Sequence, residues 1–232
     1  MKKLLGLISL IFIGALFLCA CSAEQNTLLE ESSTQTEQVV ESSEDESLEA
    51  TDSSPSEPST SDGEQTGKDK YLTDPVPKGK PTPVEPNEQK VDDKKSYTCT
   101  ISIECSTILN NMGDLDPDKK EVVPKDGIIL AKKTVTFYEG ESVFDLLQRV
   151  CKENKIHMES SWTPLYNSAY IEGIHNLYEF DCGSASGWMY RVNGWYPNYG
   201  ASRYQLSQGD VVEWKYTCDL GADIGGGYAI GE

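Results

Sequence analysis

A polar, low-complexity stretch from residue 22 to residue 96 constrains the fold of this 232-residue chain more than any other feature. Its first part is dominated by Ser, Glu, Thr, Asp and Pro, as in ESSEDESLEATDSSPSEPSTSDGEQ, and its last part, DPVPKGKPTPVEPNEQK, is rich in Pro. Such a composition buries too little apolar surface to offset the entropy lost on ordering. We therefore predict a long disordered tether that is dispensable for folding, which leaves residues 97–220 to form the domain.

The start of the chain has the pattern of a bacterial lipoprotein signal peptide. Lys2 and Lys3 precede an apolar run at 4–18, and the tetrapeptide LCAC then ends at Cys21. This order resembles the lipobox, in which a diacylglyceride is attached to the Cys and the chain is cut before it. We expect residues 1–20 to be removed and Cys21 to anchor the protein at the extracytoplasmic face of the cell membrane. An ordinary signal peptide with an incidental Cys is the alternative.

The charge of the chain excludes one class of partner. The formal net charge is −18, and residues 22–70 alone carry fourteen acidic residues and two lysines. Nucleic-acid binding requires a basic surface to meet the phosphates. We therefore expect no nucleic-acid partner.

In residues 97–220 the spacing of apolar residues is typical of the strands and helix of a small α+β domain. TCTISIEC and KKTVTFYEGE are typical of strands, as are GWMYRV and GDVVEWKYT, and Asn193-Gly194 predicts a hairpin turn. SVFDLLQRVCKEN predicts a helix with Ser142 as N-cap, Asp145 in a capping box, and an apolar stripe of Val143, Leu146, Leu147, Val150 and Cys151. The order indicates a β-grasp-like mixed sheet with one packed helix. Residues 221–232 are predicted to be a flexible Gly-rich tail.

The sequence offers little for catalysis or for metal binding. His157 and His175 lack a metal-binding spacing, and CGSASG has Ala185 where a nucleophile elbow requires Ser. The acidic run DLDPD resembles the start of a calcium loop, but Lys119 and Lys125 occupy its sixth and twelfth positions. We expect no enzyme activity, no catalytic residue and no metal site, and the cofactor is unknown.

Five cysteines remain after Cys21 is used for lipid attachment. Cys99, Cys105 and Cys151 fall on apolar faces of predicted elements, so we expect buried thiols there. Cys182 and Cys218 are the pair to test first for a disulfide.

An aromatic stretch, SGWMYRVNGWYPNYG at 186–200, surrounds the predicted turn. Alternation places Trp188, Tyr190 and Val192 on one face of the strand, which we expect to be the core face. After the turn no core requires apolar side chains. We therefore expect an exposed ligand-binding surface formed by Trp195, Tyr196, Asn198 and Tyr199. Packing of all these rings in the core is the alternative.

Three segments together resemble the transcobalamin-like C-terminal domain family. They are GESVFDLLQRV, YIEGIHNLYEFDCGSASGWMYRVNGWYPNYG and YQLSQGDVVEWKYT. The resemblance implies a β-grasp lid of the kind that closes on cobalamin, and hence a non-catalytic domain for cobalamin or another corrinoid. Carriers of this family also use a large helical barrel, which residues 22–96 cannot form, so the chain would supply half of such a site. The alternative is a cell-surface module that binds a protein or a glycan.

Overall fold

The computed structural model describes residues 67–230. The predicted signal peptide, Cys21 and the tether up to residue 66 lie outside the described residues. Within 67–230, no helix has both the length and the apolar character needed to cross a membrane.

The described residues form two sheets and one helix. The strands are β1 (Asp92–Glu104), β2 (Ile128–Glu139), β3 (Met158–Thr163), β4 (Ser168–Ile174), β5 (Leu177–Tyr178), β6 (Gly187–Val192) and β7 (Val211–Thr217). The larger sheet has the order β2-β1-β7-β6 and is mixed, because β1 and β7 are parallel and the other pairs are antiparallel. The smaller sheet has the order β3-β4-β5. The predicted α+β class, with one helix packed on a mixed sheet, is confirmed.

The helix, α1 (Val143–Asn154), forms as the sequence predicts. Ser142 accepts from the Asp145 backbone and Asp145 accepts from the Ser142 backbone, which completes the capping box. The helix ends at Lys155, which adopts a left-handed conformation. All five residues of the predicted apolar stripe are buried. They pack in one core with inward residues of β1, β6, β7 and the second sheet.

A second, smaller core is separate from the main one. It gathers Cys105 at the end of β1, Cys182 from the β5–β6 loop and Tyr216 from β7, together with apolar residues of the long β1–β2 connection. Cys99, Cys105 and Cys151 are all buried, as predicted.

Residues 67–91, which we call the strap, differ from the expected tether. The backbone N–H of Val84 donates to the carbonyl of Arg203 at 2.9 Å, and Gln89 Nε2 donates to the carbonyl of Ser202 at 2.6 Å. β1 then begins at Asp92, five residues before the expected boundary. The strap is therefore held against the domain by polar contacts, a kind of stabilisation that hydrophobic composition does not register.

Residues 221–230, expected to belong to a flexible tail, instead form two short helical turns, Ala222–Ile224 and Gly227–Ile230. The Tyr196 hydroxyl donates to the carbonyl of Ile224 at 2.9 Å, and the Tyr196 backbone donates to the Tyr228 hydroxyl at 3.1 Å. Glycine permits this close approach, since a Cβ on Gly226 would lie 3.0 Å from the Tyr196 ring.

Candidate functional site

The predicted turn follows β6, an edge strand of the larger sheet, and leads into the aromatic residues from Trp195 onward. Asn193 and Gly194 have φ values of 52° and 78°, as a two-residue hairpin turn requires. Val192 and Trp195 exchange backbone hydrogen bonds of 2.8 and 3.0 Å across it. The pairing stops at this bridge, so the chain after Trp195 crosses the domain instead of continuing as a strand.

The expected exposure of the residues after the turn is wrong. Trp195 is 8% exposed, Tyr196 is 2% and Tyr199 is 6%, while Asn198 is half-buried. Trp195 and Tyr199 lie in the main core, with ring centroids 6.0 Å apart. Trp188, expected in the core, is only partly buried. Trp195, Asn198 and Tyr199 are covered by the strap, and Tyr196 is covered by residues 221–230. Both segments were expected to be disordered or flexible, which is why exposure was expected after the turn.

Three of the four candidate residues hold the strap. The Tyr199 hydroxyl donates to the carbonyl of Pro81 at 2.7 Å, and Asn198 Nδ2 donates to the carbonyl of Asp74 at 2.9 Å. Lys80 Nζ lies 5.4 Å from the centre of the Trp195 ring, within the range of a cation–π contact. The fourth candidate, Tyr196, holds the tail. In this structure the four side chains therefore contact other segments of the same chain.

Arg203 is the residue at this site that sequence reasoning missed. It ends the helical turn Ala201–Arg203 and is 1% exposed. Its Nη2 donates to Asp69 at 2.9 Å and to Glu85 at 2.7 Å, and its Nη1 donates to Thr73 at 2.6 Å. Burial raises the pKa of Asp69, but hydrogen bonds from the Thr73 backbone, Arg203 and the Tyr71 backbone outweigh it and hold that pKa below its ordinary value. No local motif marks these partners.

A cavity of about 270 Å³ opens beside this network, between the strap, the β3–β4 hairpin and β6. Its walls are largely apolar and aromatic, and they include Tyr71 of the strap with Tyr166 and Tyr170 of the hairpin. Asn198 and Tyr199 line it, whereas Trp195 and Tyr196 do not. The cavity thus shares two of the predicted ligand-binding residues with the strap contacts.

The chemistry of the cavity suits binding by contact and neutral hydrogen bonds. Burial raises the pKa of Tyr199, so its phenol stays protonated and acts as a donor near neutral pH. Among the residues that the structure describes, no group of three His, Cys, Asp or Glu side chains is placed to hold a metal ion. His157 lies at the surface, with Nε2 3.1 Å from Glu159 Oε1, and does not line the cavity.

Comparisons with known proteins find one family profile and several similar solved structures. Residues 140–218 match the profile of the family described as Domain of unknown function (DUF4430). No curated protein matches the sequence. Two of the similar solved structures match parts of this chain, each at low identity.

The first is haptocorrin in complex with Cbi, at 16% identity and a TM-score of 0.38, over 56% of this chain. This chain spans 27% of the haptocorrin chain. The second, from Ruminococcus gnavus ATCC 29149 and provisionally named a metal binding protein, has 15% identity and a TM-score of 0.31. That match covers 52% of this chain and 96% of the other.

Proposed function

We propose that this protein is a lipid-anchored, extracytoplasmic binding protein that captures a small ligand without catalysis. The observation that carries the proposal is the open cavity of about 270 Å³ walled by the strap and the β3–β4 hairpin. A concave, mainly apolar site with a few polar groups is the usual form of a small-molecule site. The lipobox-like ending at Cys21 supports the anchor.

The size of the cavity limits what it holds. Small-molecule sites commonly enclose about 300–1,000 Å³, so this one accepts a single ring system or one edge of a larger molecule. A corrinoid would insert only part of its periphery and leave the rest outside, as expected of a half-site. Tyr166 and Tyr170 are each about half exposed and present ring faces to such a ligand.

A second candidate function rests on the tip of the β3–β4 hairpin. Trp162 and Leu165 are 50% and 57% exposed there and lie outside the cavity lining. Large exposed apolar side chains that cluster mark contact surfaces for proteins or glycans. This surface would serve the alternative function of a cell-surface interaction module.

Equilibrium dialysis of the purified protein against cyanocobalamin tests the first candidate. We expect saturable binding that Tyr170→Ala weakens at least about tenfold, as expected for an anchor residue. Tyr97→Ala, on the larger sheet and also partly exposed, is the matched control and should leave the affinity unchanged. Absence of saturable binding would exclude the corrinoid as a ligand of this chain alone. A loss of binding in Trp162→Ala but not in Tyr170→Ala would move the site to the hairpin tip.

A further inference from the structure

Two thiols meet at the edge of the smaller core, independently of the cavity. Cys182 lies in the loop before β6 and is 2% exposed, whereas Cys218 directly follows β7 and is partly exposed. The antiparallel pairing of Gly187 with Thr217 brings these chain segments together. Beyond the pair, the backbone N–H of Leu220 donates to the carbonyl of Ala185 at 2.8 Å and holds the segments in register.

Both thiols belong to the same small core. Cys182 Sγ donates to the carbonyl of Asn111 at 3.4 Å. Cys182 is buried in the cluster that contains Cys105 and Tyr216, and Cys218 packs against that cluster. Both are free thiols in this structure, and the strand pairing places them on adjacent chain segments.

The other thiols are placed less favourably. Cys99 and Cys151 belong to the main core, away from this pair. Cys105 is in the same small core, but it directly follows β1 and is fully buried. An external disulfide must reach the first thiol that it oxidises, and partly exposed Cys218 is the accessible member of the group.

We propose that Cys182 and Cys218 form a disulfide bond in an oxidising compartment by exchange with an external disulfide. The Cys218 thiolate attacks one sulfur of that disulfide, and the other sulfur leaves as a thiolate. The Cys182 thiolate then attacks Cys218 Sγ in the mixed disulfide and releases the second external thiol. The two protein thiols lose two electrons and two protons, and the external disulfide is reduced to two thiols.

The acidities of the thiols agree with this order. Burial and then the hydrogen bond with Cys218 raise the pKa of Cys182 to about 12. Burial also raises the pKa of Cys218, but hydrogen bonds from Thr107 and Cys182 oppose that rise. Cys218 is the more exposed of the two thiols and is therefore the attacking group.

The bond would close a loop that contains all of β6, the aromatic stretch and β7. A loop of this length restricts the unfolded chain enough to raise the melting temperature by about 10 °C. It would also fix the start of the segment that packs on Tyr196 and lines the cavity at Ala229.

Peptide mapping of the full chain tests the proposal. The protein is equilibrated with oxidised glutathione, alkylated and digested with trypsin, which yields Cys182 in peptide 156–191 and Cys218 in peptide 216–232. We expect these two peptides to be linked. A link from 216–232 to peptide 96–119, which carries Cys99 and Cys105, would overturn the assignment, and so would alkylation of both thiols with no link.

Thermal melting provides a second measurement. Wild-type protein should melt about 10 °C higher after oxidation than after reduction, and Cys218→Ser should lose that difference. Cys151→Ala is the matched control, because it removes a buried thiol outside the pair and should keep the difference. Since each variant is compared with itself in two redox states, a variant that is less stable overall still reports. An equal redox shift in Cys218→Ser and wild type would refute the proposal.

Discussion

Replacing Arg203 with Met tests whether the strap belongs to the folded unit. The substitution preserves length and apolar volume but removes the charge that faces Asp69 and Glu85 at 2.9 and 2.7 Å. Removing one partner of a buried ion pair typically costs about 3–5 kcal/mol, because the remaining charge is left uncompensated. Asp69 and Glu85 retain some solvent contact, with 28% and 16% of their side chains exposed. We therefore expect the lower end, about 3 kcal/mol, or roughly 6–12 °C in melting temperature.

Urea unfolding followed by tryptophan fluorescence measures this loss, and Arg191→Met is the matched control. Arg191 also makes two contacts with one carboxylate, Glu213, at 2.7 and 2.8 Å, but it is 26% exposed. Because Arg191 keeps solvent contact while Arg203 does not, we expect Arg191→Met to cost less, about 1 kcal/mol. Arg203→Met should also increase trypsin cleavage after Lys78 in the strap. Equal destabilisation by the two variants, with no change in cleavage, would refute the structural role assigned to Arg203.

Two further outcomes follow from burial at the aromatic stretch. Trp195→Ala should destabilise by about 3–5 kcal/mol, the cost of truncating a buried large aromatic, whereas half-exposed Trp162→Ala should cost little; similar melting temperatures for the two variants would contradict this. Burial raises the pKa of Tyr196 from an ordinary 10.0 to about 12. Because the pKa is higher in the folded chain, the protonated phenol stabilises the fold fully below pH 10, and this stabilisation is lost as pH rises toward 12. The melting temperature should therefore fall across that range while tyrosinate absorbance rises. A flat melting profile between pH 10 and 12 would be inconsistent with burial of this phenol.

The sequence predicted correctly those elements in which the local spacing of apolar residues indicates the buried face. The face of α1 from Val143 to Cys151 and the inward face of β1 are both fixed by the spacing of apolar residues, and both are buried as expected. The Asn193-Gly194 turn is likewise local, because its positive φ values select those two residue types. Sequence reasoning could therefore supply the fold class and most of the main core.

The strap could not be predicted in the same way, because the polar contacts that hold it join residues far apart in the sequence. Arg203 lies more than one hundred residues from Asp69 and Glu85 in the sequence, and each acid looks like part of a solvated run. The Pro-rich composition is also typical of disordered linkers. Only the folded chain brings one buried guanidinium to two carboxylates. The same omission explains the wrong expectation of exposure at Trp195 and Tyr199.

The strap contacts and the cavity lining at this face share side chains, so the proposed binding would be coupled to docking of the strap. Tyr199 holds the Pro81 carbonyl and also lines the cavity, and Arg203 holds Asp69 and Glu85 while it lines the same cavity. Tyr71, Leu72 and Thr73 of the strap complete one wall. A change that releases the strap would therefore remove part of the proposed binding surface. By thermodynamic linkage, a ligand that contacts that wall would stabilise the docked strap. A domain cut at residue 97 would keep the candidate residues and lose the wall of the cavity that Tyr71, Leu72 and Thr73 form.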